Sequence, residues 1–65
     1  MIVLTRLNGG EFVLNSALIR TVERTPDTTI RLTTGETVLV REGVEQVVER
    51  AVEYERLLRG VLPRS

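Results

Sequence analysis

The sequence predicts a small α+β domain, one antiparallel five-stranded meander followed by a single C-terminal amphipathic helix. Three observations predict it. Apolar and polar residues alternate through most of the first 41 positions, the period of half-buried strands. Turn chemistry recurs at Asn8-Gly9, Pro26-Asp27 and Thr34-Gly35. From Val44 onward the apolar spacing changes to three and four residues, the period of a helix lying on a surface.

Met1 to Leu7 reads as the first strand, with Ile2, Leu4 and Arg6 on one face and Val3, Thr5 and Leu7 on the other. Asn8-Gly9 then turns the chain. Asn-Gly favours the type I′ hairpin, whose two central residues both need positive φ, so Glu11 to Asn15 returns antiparallel with Phe12 and Leu14 inward. Asn15 to Leu18 interrupts the alternation and reads as a corner or a single helical turn opened by a polar cap.

Ile19 to Arg24 forms the third strand. Ile19 and Val22 fall on opposite faces of a regular strand, so this one is bulged or buries part of both faces. Thr25-Pro26-Asp27-Thr28 is the central turn: Pro26 presets φ for the second position of a type I turn, and Asp27 bonds its own backbone. Thr29 to Thr33 follows with Ile30 and Leu32 inward and Arg31 outward. Thr34-Gly35 reverses the chain, and Glu36 to Arg41 completes the meander with Val38 and Val40 on one face and Leu39 on the other.

In the helix, Val44, Val47, Ala51, Tyr54, Leu58 and Val61 make an almost heptad stripe, widened by Val48 and Val52. Gly43 occupies the N-cap position with Gln46 three residues on, a weak capping arrangement. Glu45, Glu49 and Glu53 load the front half and Arg56 and Arg59 the back, which complements the helix dipole. Gly60 and Pro63 are the stop signals. The domain therefore runs over 1–59, with a flexible tail over 60–65. A helix of about sixteen residues spans roughly 24 Å, whereas a strand of five or six spans about 17–20 Å. The last turns thus overhang the sheet, and Tyr54, Leu57, Leu58 and Val61 become a face for another copy or another protein.

Composition excludes much chemistry. The 65 residues contain no Cys and no His, which removes disulfides, Cys/His zinc sites and nucleophiles activated by His. The acidic row Glu45, Glu49, Glu53 has no convergent partner and reads as a solvated face. Gly9-Gly10 lacks the further glycines and the strand-to-helix context of a phosphate loop. No enzyme, cofactor or metal site is expected, and the fold should serve as an interaction module. Nine Arg, with no Lys, balance nine acidic residues. Zero net charge argues against a generally cationic nucleic-acid or membrane-surface protein, and it resists self-association poorly. A single core of this size rarely supplies more than about 3–5 kcal/mol, so a homo-oligomer built through strand edges or the helix seam is expected. The apolar opening Met1 to Leu4 breaks at Thr5-Arg6, no leader is evident, and no run is long enough to cross a bilayer, so the address is cytoplasmic without membrane insertion. Arg6, Arg20, Arg24 and Arg31 form an outer charged face, most simply paired across strands with Glu11 and Glu23.

Taken together, Leu4-Thr-Arg-Leu-Asn-Gly9, Phe12-x-Leu14-Asn15, Leu18-Ile19, Val22-Glu23 and Thr25-Pro-Asp-Thr28, followed by Ile30-x-Leu32 and Gly35, resemble the family of small bacterial flagellar proteins called FlbD or, in swarming species, SwrD. The resemblance runs from Met1 to about Leu58. It implies a non-enzymatic cytoplasmic protein of flagellar and chemotaxis gene clusters that supports swarming by raising flagellar motor power. The family pattern does not name the molecular contact; a stator or rotor protein is the hypothesis for the partner, with association at the flagellar basal body. The motif positions Asn8, Gly9, Asn15, Thr25, Pro26, Asp27 and Thr28 are the candidate partner-binding residues, although turn geometry and corner capping also explain them. The chain departs from the family at Glu42-Gly43, where similar members have Ser or a like cap before the helix.

A second resemblance lies in Met1 to Arg6 with Gly10-Glu11, and in Val38-x-Val40-Arg41-Glu42 before the helix. These are similar to the carbon storage regulator family of dimeric RNA-binding β proteins, in which positions matching Leu4, Arg6 and Arg41 would contact RNA. Net charge zero, the missing Lys and the Thr25-Pro26-Asp27 turn weigh against it. An oligomerising domain with no flagellar role is the third reading.

Overall fold

The computed structural model describes residues 1–61. Five strands precede one helix: β1 Ile2–Thr5, β2 Glu11–Leu14, β3 Ile19–Arg24, β4 Thr28–Leu32, β5 Thr37–Val40 and α1 Val44–Val61, with a single 3-10 turn, Ser16–Leu18, between β2 and β3. The α+β class and the element order are as expected, but the single five-stranded meander is not what forms. The strands divide into a two-stranded sheet, β1-β2, and a three-stranded sheet, β3-β4-β5. The corner between β2 and β3 is the physical reason. Asn15 caps the 3-10 turn, its side-chain oxygen accepting from the Ala17 N–H at 3.1 Å. The Leu18 N–H returns to the Asn15 carbonyl at 3.0 Å, so β3 leaves in a new direction and never pairs with β2. Between the two sheets, a bridge joins Arg6 to Val40, and the Arg41 N–H donates to the Thr5 carbonyl at 2.8 Å. The end of β1 therefore adjoins the end of β5.

The hairpin loops also differ from expectation in kind. In the β1-β2 loop the Gly9 N–H donates to the Arg6 carbonyl and the Arg6 N–H to the Gly10 carbonyl. Gly9 has φ +99, and among the described residues only glycines have positive φ. This is a type I turn closed by a left-handed glycine, not the type I′ turn predicted from Asn-Gly. Asn8 contributes its side chain instead, accepting from the Gly10 N–H at 2.9 Å. The β4-β5 loop repeats the arrangement: Gly35 N–H to Leu32 carbonyl, Leu32 N–H to Glu36 carbonyl, and Gly35 at φ +94. The Thr25–Pro26 peptide is cis, and the Thr25 N–H donates to the Asp27 carbonyl at 3.0 Å.

Strand faces follow the alternation. Ile2, Leu4, Leu14, Ile30, Leu32, Val40 and Val47 form the buried core, with Phe12, Leu18, Ile19, Val22, Val38 and Tyr54 packed against it. The expected bulge is present: the β3-β4 register shifts between Ile19 and Thr21, which brings both Ile19 and Val22 onto the core. α1 lies across β1 and β3 and contributes the fully buried Val47. Its start is half of a capping box, with the Gly43 N–H donating to Gln46 Oε1 at 2.9 Å and the Gly43 carbonyl accepting from Val47. Gly60 does not stop the helix, because α1 continues to Val61. Residues 62–65, including Pro63 and most of the expected tail, lie outside the described residues.

Candidate functional site

Eighteen residues of α1 span about 27 Å, and the molecule measures 41 × 22 × 18 Å. Beyond Tyr54, Glu55 to Gly60 are all exposed. The expected overhang is thus a feature of the fold. Leu57 is 60% and Leu58 39% exposed, while half-buried Tyr54 marks the last turn resting on the core. The Val61 side chain lies outside the described residues.

A groove lies on each side of this beam. One, of about 530 Å³, is lined by Met1, Val3, Glu11, Arg50, Tyr54 and Leu57 among others. The other, of about 400 Å³, includes Met1, Asn15, Ala17, Val52, Tyr54 and Leu58. Asn15 therefore joins the helix face predicted from the apolar stripe. Met1 and Val3, 55% and 50% exposed, extend the apolar surface onto β1. Val13, 64% exposed, pairs directly with Val3 and carries it to β2.

The remaining motif positions sit at strand ends. Asn8 and Gly9 form the β1-β2 loop, where Arg41 covers them: Arg41 Nε donates to the Leu7 carbonyl at 3.0 Å, and a Cβ on Gly9 would stand 3.6 Å from the guanidinium. Thr25, Pro26 and Asp27 are exposed in the β3-β4 loop, whereas Thr28 is buried and pairs with both Arg24 and Val40. Val40 is also the bridge partner of Arg6, so the two motif segments are stitched together at one β5 residue.

The Arg side chains do not pair as expected with Glu11 and Glu23. Arg24 binds Glu45 on α1 at 3.2 Å, and Arg6 lies over the Phe12 ring, 4.3 Å from its centroid. The residues proposed for RNA contact do not share a surface either, because Leu4 is fully buried.

Sequence reasoning missed the most connected polar group, the buried Glu42 carboxylate. It accepts from the Thr5 N–H and the Thr5 hydroxyl, each at 2.9 Å, and from Arg50 Nη1 at 3.2 Å. The same Arg50 nitrogen donates to the Val3 carbonyl at 2.8 Å, tying α1 to β1 beside the larger groove. Burial pushes this carboxyl up. The bonds from the Thr5 N–H, its own backbone N–H, the Thr5 hydroxyl and Arg50 outweigh burial and hold it below its ordinary 4.5. A carboxylate so fully engaged is a structural clamp rather than a proton donor or acceptor for chemistry. One signal pointed to it: Val38, Val40 and Glu42 share a face at period two, and Arg50 borders the apolar stripe of α1.

Among the described residues there is no group of three or more His, Cys, Asp or Glu placed to hold a metal ion, and no helix long and apolar enough to cross a membrane. What the described residues present is an exposed helix end carrying Leu57 and Leu58 beside two grooves. A family model described as FlbD, flagellar and swarming motility proteins, matches residues 1–58 of the chain. No curated protein and no solved structure matches it.

Proposed function

The chain belongs to the FlbD family of flagellar and swarming motility proteins, and from that premise we propose that it is a non-enzymatic accessory that raises flagellar motor power through contact with another protein. The observation that carries this reading is the free end of α1. Leu57 and Leu58 follow Tyr54, the last helix residue packed on the core, and stay exposed at grooves reaching Met1 and Asn15. An exposed apolar patch of this kind is characteristic of a surface that meets a partner. A stator or rotor protein is the partner in this reading, met in the cytoplasm at the basal body. The RNA-binding alternative loses support from the burial of Leu4.

The test is deletion of the gene in a flagellated host that carries it, with flagella counted and the torque of single motors measured. Normal flagellar number with reduced torque is expected. Altered number with normal torque would overturn the motor reading and move the role to expression or assembly.

A further inference from the structure

The outward face of α1 carries a pattern that the overhang does not use. Glu45, Val48, Glu49, Val52, Arg56 and Arg59 are all exposed and fall within an arc of about 100° at 3.6 residues per turn, turned away from buried Val47. Val48 and Val52 are 47% and 41% exposed and supply the apolar part of this face. Its charges are arranged about Val52. Glu45 and Arg59 stand seven positions before and after it, and Glu49 and Arg56 three before and four after.

We propose that this face pairs with the same face of a second copy, the two helices antiparallel and the twofold axis at Val52. Reversal of direction sets Glu49 of one copy opposite Arg56 of the other and Glu45 opposite Arg59, each pair occurring twice. A twofold interface requires that kind of self-complementarity. A parallel arrangement sets acid against acid and base against base. Glu45 already meets Arg24, and Arg59 meets Glu55 at 3.9 Å, but both pairs are exposed and exchange partners at little cost. Because the apolar area is confined to two valines per copy, charge supplies much of the pairing, and association weakens as salt rises. Leu57 and Leu58 fall outside this arc, on the opposite side of the turns that carry Arg56 and Arg59, and stay free for another protein, so this dimer stands independently of the motor role.

The experiment uses the purified chain. Sedimentation equilibrium should give a monomer–dimer equilibrium whose dissociation constant rises with salt. Glu49→Arg or Arg56→Glu alone should raise that constant about tenfold or more, and the double exchange should restore it. The chain contains no Cys, so Val52→Cys places one thiol per copy at the axis and should form a crosslinked dimer on mild oxidation far faster than Thr34→Cys, which sits in the exposed β4-β5 loop. A mass of one chain at all concentrations, no rescue by the double exchange, or equal crosslinking at both positions would each overturn the proposal.

Discussion

Glu42 and Thr5, thirty-seven residues apart, are joined twice: one carboxylate oxygen accepts from the Thr5 N–H and the other from the Thr5 hydroxyl, both at 2.9 Å. With Arg50 on the second oxygen, this carboxylate locks the end of β1 to the start of α1. Its removal leaves a backbone N–H and a hydroxyl without their acceptor. Hydrogen bonds to a charged group are worth about 1.5–3 kcal/mol each, so Glu42→Ala should lower stability by roughly 2–3 kcal/mol and the melting temperature by roughly 10–20 °C. Glu42→Gln keeps one carbonyl acceptor and should lose less. Thermal unfolding followed by circular dichroism reads both.

The same group sets a pH dependence. Its carboxyl is held below 4.5 in the folded chain. A depressed folded pKa contributes stability that is fully present above the unfolded value and is lost as pH falls through the folded one. The stability of the native chain should therefore decline below about pH 4.5. The gap between it and Glu42→Gln should narrow over the same window. Urea midpoints for both proteins between pH 3 and pH 7 measure this, and a gap of constant size would show that Glu42 is not the group responsible.

That clamp also marks the limit of local sequence rules. Alternation placed Ile2, Leu4, Phe12, Leu14, Ile30 and Leu32 correctly because it reports which face a side chain takes. It does not report which strand lies alongside. The meander therefore failed at Asn15–Leu18, a corner recognised as a corner but not as the point where a second sheet begins. The spacing of Ile19 and Val22 did reveal its bulge, because one extra residue visibly breaks the period. In the candidate site, the overhang of Leu57 and Leu58 followed from helix length alone. The contribution of Met1 and Val3 did not, because it depends on how α1 crosses β1. Contacts between Glu42 and Thr5, or between Arg50 and Val3, carry no local spacing to be read.

Gly9 and Gly35 close two loops of one design at φ +99 and +94. A Cβ in this region costs about 1–2 kcal/mol, whatever the space around it. Gly35→Ala meets no atom within 4 Å and so isolates the backbone term; Gly9→Ala adds only an ordinary contact with Arg41. Both should lose about 1–2 kcal/mol in urea unfolding. Equal losses would identify the backbone as their common cause, and a neutral Gly35→Ala would refute the loop assignment.

At the helix start, Gly43 has no positive φ, and a Cβ there meets only the flexible ends of Glu45 and Gln46 at 3.5 Å and beyond. Gly43→Ser should add the missing side-chain cap and stabilise the chain by a few tenths of a kcal/mol, roughly the difference between these two N-caps. Gln46→Ala removes the acceptor of the Gly43 N–H and should cost about 0.5–1 kcal/mol. Chemical denaturation of the two variants decides whether the box stabilises the helix.

The sharpest separation of fold from function lies at the overhang. Leu57 and Leu58 are 60% and 39% exposed and follow Tyr54, the last helix residue packed against the core. Replacing both with Asp should leave the chain folded at a cost of about 1 kcal/mol, mostly at Leu58, the less exposed of the two. Val47→Ala, by contrast, empties a fully buried position and should cost about 1–3 kcal/mol. If the beam docks a partner, the folded Leu57→Asp, Leu58→Asp double variant fails to restore torque in the deletion strain at normal cellular levels. Full restoration by that variant would release the overhang from any role in motility and send the search to the β1-β2 and β3-β4 loops.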